Sequence, residues 1–295
     1  MNIRDLEYFN QLSKRLSYTV VAQDFNVSQP TVTYAIKRLE TLYDCQLVIK
    51  DPSHRSVVLT QEGQLLNRHI ETILEEFKIT KKAIEHSKKN KLHIGFPPII
   101  RARILSKILD NQETISALSQ FNIVSGGSSR LLSQLLSGEL DFSLLGSIEP
   151  LHHPSLTINL LYKREFSIFV SKDHPLASKK EISFSETLAY PFVILDESSV
   201  HLKAFQLLNQ KYQNKAKVIL NLPDAQTIGQ VVKTNIGITL MSDFLPFSDE
   251  HDLVKIPLVE SDKLYFYVQY AYLTSSLLNS QLLSFKSILD EMARQ

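Results

Sequence analysis

Apolar positions recur at helical spacing in three short segments near the start of the chain. The first predicted helix has an apolar side formed by Leu6, Phe9, Leu12 and Leu16. A second helix opens at Ser17 or Tyr18 and places Val21, Ala22 and Phe25 on its apolar side. In the third segment, steps of four and three residues predict a buried side formed by Val32, Ile36, Leu39 and Leu42. Because residues 26–28 turn the chain between the last two segments, the pattern predicts a helix-turn-helix.

The third helix has a polar side suited to the DNA major groove. Ser28 is a good N-cap because its hydroxyl can accept from an amide of the first turn. Pro30 falls in that turn, where its missing N–H costs little. The side opposite the apolar positions carries Gln29, Thr31, Thr33, Tyr34, Lys37 and Arg38. The shorter side chains of this set suit base edges, whereas Lys37 and Arg38 suit phosphates.

A β-hairpin is predicted after the third helix, as two short strands between residues 46 and 59. Pro52 and Ser53 suit the turn between them. Arg55 in this wing is placed to meet a phosphate. The predicted DNA-binding residues are therefore Ser28, Gln29, Pro30, Thr31, Thr33, Tyr34, Lys37, Arg38 and Arg55. The alternative for this face is an ordinary solvated helix surface.

A long helix is predicted from Thr60, a good N-cap, to about Lys88. Its apolar positions form a seam of heptad type at Leu66, Ile70, Ile73, Phe77 and Ile84. The seam extends over ~28 residues, or ~42 Å, and predicts pairing with a second copy of the helix. The alternative is a long helix packed on its own domain. The basic run at residues 87–91 is interpreted as a linker, with contact to DNA phosphates as the alternative.

From residue 92 onward, short apolar runs alternate with helical patterns. Predicted strands lie at residues 92–96, 121–124, 140–145, 165–170, 218–220 and 238–240. Predicted helices lie at residues 101–109, 128–136, 203–212 and 227–233. Strands that alternate with helices imply right-handed βαβ units and a mainly parallel sheet.

The N-terminal region resembles the LysR-type transcriptional regulators of bacteria. The resemblance is carried by Ala22, residues 27–32, Ile36, Leu39, Glu40, Leu42, Leu47, Arg55, Leu59, Thr60 and Gly63. Asp44, Val48 and Lys50 depart from the Gly, Phe and Arg that are usual in the family. Further along, residues 135–141 and 173–176 resemble its L-x-x-G-x-L-D and D-H-P-L segments. The stretch at residues 231–238 resembles its V-x-x-G-x-G-I segment, with Asn235 in place of the first glycine.

The resemblance implies an α/β protein with an N-terminal winged helix-turn-helix, expected at residues 1–59. A linker and dimerisation helix with its hinge is expected at residues 60–90, and an effector-binding domain at residues 91–295. That domain would have two α/β subdomains, as in periplasmic binding proteins. The first would hold about residues 91–161 and 267–295, and the second about residues 162–266. A small ligand would bind in the cleft between them.

Three segments supply the candidate effector-binding residues Ile99, Ile100, Arg101, Gly127, Ser128, Ser198 and Ser199. The turn containing Gly127 and Ser128 opens a helix, and a helix N-terminus favours an anion. The alternative for Ser128 is simple N-capping. Arg101, or alternatively Arg103, can offer a cation, while an exposed helical arginine is the alternative interpretation. For Ser198 and Ser199, which the resemblance places at the cleft, the alternative is a surface loop.

Composition and charge limit the classes of function. The chain has 295 residues, 43% hydrophobic and 21% charged, with a net charge of +1, so no strong overall field attracts it to DNA. The single cysteine, Cys45, excludes a disulfide framework, and the pattern lacks a signal peptide or membrane span, as expected for a cytoplasmic protein. No catalytic signature is evident, and neither a metal nor a cofactor is expected.

The sequence therefore predicts a LysR-type regulator that is not an enzyme. Its expected partners are an operator in double-stranded DNA, a small effector, further copies of itself in a dimer or tetramer, and RNA polymerase. A small carboxylate such as malate is the expected effector. The alternative function is a ligand-binding or enzymatic α/β domain with a helix-turn-helix for autoregulation.

Overall fold

The computed structural model describes residues 2–50, 56–87, 91–108, 118–196, 199–244, 252–276 and 278–294. The chain forms two compact units, Met1–Glu85 and His86–Gln295. Each unit has a hydrophobic core of its own. Within the described ranges, no helix combines the length and the hydropathy that a membrane span requires.

The first unit contains the predicted helices and hairpin. Its elements are α1 (Ile3–Arg15), α2 (Tyr18–Asp24), α3 (Gln29–Tyr43), β1 (Val48–Lys50), β2 (Val57–Leu59) and the start of α4 (Gln61–Ser87). Ser17 and Ser28 cap α2 and α3, and the hydroxyl of Thr60 accepts from the amide of Gly63 at 3.0 Å. β1 and β2 pair antiparallel, with Ile49 opposite Val58. The helix-turn-helix and the two paired strands of its wing are therefore present as predicted, whereas the predicted turn at Pro52 and Ser53 lies outside the described residues.

The last turn of α3 departs from the predicted pattern. Val32, Ile36 and Leu39 are buried as expected, but Leu42 is 54% exposed, so its predicted burial is wrong. The chain turns at Asp44 and returns Leu47 to the core, where it is 1% exposed. Because Leu47 fills the core at this end of α3, the core does not need Leu42 there.

The apolar residues of α4 form two sets, one packed in the core of the first unit and one exposed. Ile70 is 0% exposed and belongs to the core of the first unit, against which Leu66 also packs. Leu66 and Ile70 therefore pack within their own unit. Fewer residues of the predicted dimerisation seam are left exposed for pairing than the sequence predicted. Ile73, Phe77 and Ile84 are exposed, and so is Leu65. An exposed apolar stripe thus extends along a helix whose first turns are held by its own domain.

The second unit is an α/β structure. Its first elements are β3 (Leu92–Phe96), α5 (Pro98–Ile108), β4 (Phe121–Ser125), α6 (Ser128–Leu136), β5 (Phe142–Ser147) and β6 (Leu156–Ser171). Next come α7 (Phe184–Thr187), β7 (Phe192–Leu195), α8 (Val200–Lys211), β8 (Val218–Leu222), α9 (Ala225–Lys233) and β9 (Thr239–Ser242). The last are β10 (Leu253–Pro257), β11 (Tyr265–Leu273) and α10 (Ser280–Arg294).

Seven strands form one mixed sheet, in which β10, β6, β11, β5, β3 and β4 follow in order and β9 also pairs with β6. β3 is parallel to β4 and β5, and β7 forms a separate parallel pair with β8. All pairs made by β6 and β11 are antiparallel, so the prediction of a mainly parallel sheet is wrong. The βα pattern revealed the parallel strands, but it gave no sign of two long strands that pair with each other.

These two strands connect two lobes of the second unit. The first half of β6 pairs with β11, and its second half pairs with β9 and β10. The expected crossing points, near residues 161 and 267, fall inside β6 and β11. Lobe I consists of α5, α6 and the strands beside them, and lobe II consists of β7, β8, β9, α8 and α9.

Candidate functional site

The polar side of α3 carries the predicted base-reading groups, and hydrogen bonds order several of them. The amide of Gln29 donates to the hydroxyl of Thr33 at 2.8 Å, and that hydroxyl donates to the carbonyl of Gln29 at 3.2 Å. The hydroxyls of Ser28 and Thr31 lie 2.8 Å apart. Pro30, Tyr34 and Lys37 are exposed. The face is therefore open to solvent and partly pre-ordered.

Arg38 has a structural partner that the sequence did not suggest. Its Nε donates to Oδ2 of Asp5 at 3.2 Å, and its Nη2 bonds Oδ1 of the same carboxylate. Asp5 is buried, which acts to raise its pKa, but the hydrogen bonds from Arg38 and the amide of Asn2, together with the charge of Arg38, hold that pKa below its usual value. Arg38 thus links α1 to the recognition helix, which leaves less of its guanidinium for the predicted phosphate contact. Arg55 lies outside the described residues.

The second unit contains a cavity of about 330 Å³ between its two lobes. It is lined by six of the seven predicted effector-binding residues, namely Ile99, Ile100, Arg101, Gly127, Ser128 and Ser199. The remaining one, Ser198, lies outside the described residues. Arg103, the alternative cation, is not among the residues that line this cavity.

Four helices begin at the wall of the cavity, since their first residues, or those next to them, line it. Pro98 and Ser128 open α5 and α6 in lobe I, and Val200 and Ala225 open α8 and α9 in lobe II. The N-terminus of a helix has free amides and a partial positive charge, so it favours an anion. The side chains of Ser199 and Asp224 cap the two helices of lobe II, whereas α6 has no side-chain cap.

Ser128 is not an N-cap, so that alternative is wrong. The cap position is Gly127, and Ser128 is the first residue of α6. The hydroxyl oxygen of Ser128 accepts from the amide of Gly146 at 2.8 Å, and the residue is 8% exposed. Because the oxygen is the acceptor in that bond, the hydroxyl hydrogen remains available as a donor.

Sequence reasoning missed three polar residues of the cavity wall, His201, Asp224 and Gln226, and assigned no role to Asp196. His201 is buried, and burial lowers its pKa to about 3. Its Nε2 lies 3.0 Å from the hydroxyl of Ser242. Hydrogen bonds from the amide and hydroxyl of Thr227 lower the pKa of Asp224. No sequence signal marks His201, but Asp224 precedes a predicted helix and could have been recognised as a cap.

The part of the chain that the structure describes gives no indication of a metal site. No group of three or more His, Cys, Asp or Glu side chains is arranged there to hold a metal ion. The arrangement suits binding of a small polar molecule in lobes I and II and binding of DNA by the first unit.

Comparison with protein families identifies both parts. Residues 3–64 match the bacterial regulatory helix-turn-helix protein of the lysR family, and residues 85–294 match the LysR substrate binding domain. The chain belongs to the LysR family of transcriptional regulators. Members of this LysR family are regulators rather than enzymes. DNA binding by the helix-turn-helix and effector binding by the second unit are therefore properties of the family to which the chain belongs.

A LysR-family relative covers almost the whole chain. The malolactic fermentation system transcriptional activator of Lactococcus lactis subsp. lactis (strain IL1403) is 48% identical over 289 residues, which is 98% of this chain and 98% of the relative. Solved structures of other LysR-family proteins share the fold. An OxyR C206 mutant of Corynebacterium glutamicum has a TM-score of 0.55 at 20% identity, covering 99% of this chain and 93% of its own. The regulatory domain of CcmR from Synechocystis PCC6803, in complex with 2-PG, has a TM-score of 0.58 at 18% identity, covering 70% and 99%.

Proposed function

We propose that this LysR-family regulator binds a small carboxylate, such as malate, in the cavity between lobes I and II and thereby changes how its subunits engage DNA. The observation that carries the proposal is that Arg101, Ser128 and the uncapped N-terminus of α6 line the same cavity. The 48% identical relative, named for a malolactic fermentation system, supports malate as the first acid to test.

The donors of lobe I favour an anion for a physical reason. The guanidinium of Arg101 and the hydroxyl of Ser128, which has a hydrogen to donate, belong to residues that both line the cavity. A carboxylate would accept from this hydroxyl, from the free amides at the start of α6 and from the guanidinium. Charge-assisted hydrogen bonds of this kind contribute about 1.5–3 kcal/mol each.

The DNA-binding unit would read an operator through α3. The Gln29–Thr33 pair, Ser28, Thr31 and Tyr34 would contact base edges, and Lys37 and Arg55 would contact phosphates. Operator DNA in the bacterial cytoplasm is the proposed partner, and RNA polymerase would be the target of the bound regulator.

The exposed stripe of α4 would join two copies of the chain, as a dimer or as a tetramer built from dimers. Leu65, Ile73, Phe77 and Ile84 are large apolar side chains that stay exposed in the single chain. A stripe of this kind along a helix is buried when two such helices pair. An effector changes DNA binding only if it binds one arrangement of the subunits better than another.

Calorimetric titration of the full-length protein with small mono- and dicarboxylates tests the proposal. We expect Ser128→Ala to weaken binding of the preferred acid by about tenfold or more, because a charge-assisted hydrogen bond is lost. Ser133→Ala is the matched control, since Ser133 lies on the same helix and donates to the carbonyl of Ser129 outside the cavity. Binding of no acid, or preference for an uncharged ligand, would refute the proposal.

A further inference from the structure

The chain segment at residues 46–48, where β1 begins, is held from two sides. On one side, the carboxylate of Glu40 in α3 accepts from the amides of Leu47 at 2.9 Å and Val48 at 3.4 Å. On the other side, the amide and the hydroxyl of Thr60 donate to the carbonyl of Leu47 at 3.0 Å and 3.2 Å. These contacts form a junction, the Leu47 junction, between the recognition helix, the wing and the start of α4.

Gly63 brings the first turn of α4 against the same segment. The residue is buried, and a Cβ there would lie 2.2 Å from the carbonyl oxygen of Leu47 and 3.1 Å from the carbonyl carbon. Because both atoms belong to the backbone, a side chain at this position would force β1 or α4 to move. The amide of Gly63 donates to the hydroxyl of Thr60 at 3.0 Å, and that hydroxyl also lies 2.8 Å from the carbonyl of Gln46. A single hydroxyl thus contacts both α4 and the strand of the wing.

Packing supports these hydrogen bonds. Leu47 is 1% exposed and belongs to the same core as Leu39 of α3 and Ile70 of α4. β1 pairs with β2, with Val48 opposite Leu59, so the second strand of the wing follows the first. A displacement of α4 relative to α3 must therefore break the Leu47 junction or carry the wing with it.

We propose that Glu40, Thr60 and Gly63 are positioning residues for DNA binding, which hold the wing where Arg55 can reach a phosphate while α3 lies in the major groove. The first turn of α4 is thereby part of the DNA-binding structure, in addition to the role of α4 in assembly. Contacts to phosphates fix the position of a protein on the duplex, so the place of the wing matters for affinity. This inference rests on the proposed contact between Arg55 and a phosphate and names the residues that keep it possible.

The salt dependence of binding to a DNA duplex of random sequence tests the inference. Such binding depends almost wholly on phosphate contacts, and each contact contributes about 0.9 to the slope of log K against log salt. In the full-length protein, Glu40→Ala, Thr60→Val and Gly63→Ala should each weaken binding roughly tenfold at about 0.1 M salt and lower the slope by about one. Glu40→Gln should retain most of the affinity, since its amide oxygen can still accept from Leu47.

Two control variants separate positioning from folding. Gln64→Ala changes an exposed neighbour of Gly63, and Ile70→Val removes a methyl group from the core of the first unit. Ile70→Val should lower the free energy of unfolding, measured in urea, but neither control should change the salt slope. Sedimentation of all variants should give the wild-type oligomer, because the exposed stripe of α4 is unchanged.

Arg55→Ala separates this inference from the proposed function. If Arg55→Ala leaves the slope unchanged, the proposed phosphate contact of the wing is refuted. If it lowers the slope but Glu40→Ala and Gly63→Ala do not, only the role of the Leu47 junction is refuted. In the double variant of Arg55→Ala and Gly63→Ala, the slope should fall no further than in Arg55→Ala alone, and a further fall would overturn the inference. Should Gly63→Ala fail to fold, Thr60→Val replaces it, since valine keeps the shape of threonine without its hydroxyl.

Discussion

Residues 44 and 235 show how this chain keeps family turns without the usual glycines. Asp44 and Asn235 both have a left-handed backbone, with φ of 48° and 61°. Each follows a helix and returns its amide to that helix, Asp44 to the carbonyl of Glu40 and Asn235 to that of Val232. Asp and Asn tolerate this conformation better than other L-residues because their short polar side chains bond locally. Both turns are therefore retained, although Asp44 and Asn235 replace the glycines that are usual in the family.

His201 makes the stability of the second unit depend on pH. Its pKa is about 3 when folded and near 6.5 when unfolded, so below pH 6.5 the unfolded chain binds a proton that the folded chain does not. The free energy of unfolding should therefore fall as the pH falls from about 6.5 towards 3, by at most about 1.4 kcal/mol for each pH unit. Urea unfolding at pH 7.5, 6.0 and 5.0 measures this slope.

His201→Gln should flatten that dependence, because glutamine does not titrate. Burial also lowers the pKa of His174, so His174→Gln should flatten the slope as well, though less. Identical slopes for wild type and His201→Gln would contradict the assignment of a buried, neutral ring to His201.

At the scale of secondary-structure elements, the sequence predicted the helices and strands whose apolar and polar residues form a pattern within the element itself. The helix predicted at residues 128–136 has those bounds, and so does the strand at residues 92–96. β6 is far longer than predicted because polar residues such as Asn159 and Lys163 interrupt its first half, which pairs with β11. Six of the predicted effector residues met in one cavity because each of the six lies at the start of a helix. His201 was missed because its environment is made by Phe166, Phe266 and Ser242, which are distant in sequence.

The recognition helix carries a prediction about base reading. Thr33→Val should cost roughly 1–3 kcal/mol of binding on a cognate operator and little on random DNA, because it removes a base-edge group and the partner of Gln29. Gel-shift titrations on both DNAs measure the difference. Thr41→Val, an exposed threonine near the end of the same helix, should change neither. Equal losses on both DNAs for Thr33→Val would remove Thr33 from the set of base contacts.

Substitutions at Ile70 and Ile73 of α4, which lie about one helical turn apart, should have different effects, one on folding and the other on assembly. Ile73 is 45% exposed, so Ile73→Asp should leave the chain folded while raising the dissociation constant of the oligomer by about a hundredfold or more. Ile70 is buried in the core of the first unit, so Ile70→Asp should instead lower the free energy of unfolding by several kcal/mol. Sedimentation and thermal unfolding of both variants give the answer. An unchanged oligomer for Ile73→Asp would mean that this stripe does not pair.

At the scale of the whole molecule, DNA binding and effector binding belong to different units. The first has an exposed polar helix for DNA, and the second has a cavity for a small polar molecule. Neither unit alone explains regulation, which requires that occupancy of the cavity and binding to DNA influence each other. Thermodynamics makes that influence reciprocal whatever the structural route.

The last prediction uses this reciprocity. If the effector changes operator affinity by some factor, then operator DNA must change effector affinity by the same factor. We expect a factor of about 5–150 in wild type, measured by calorimetry of the effector with and without operator and by DNA titration with and without effector. In Ile73→Asp the factor should fall to one while the effector affinity of the free protein is retained, since the cavity lies wholly in the second unit. Coupling that persists in the dissociated variant would show that the signal passes within a single chain and does not depend on the pairing of α4.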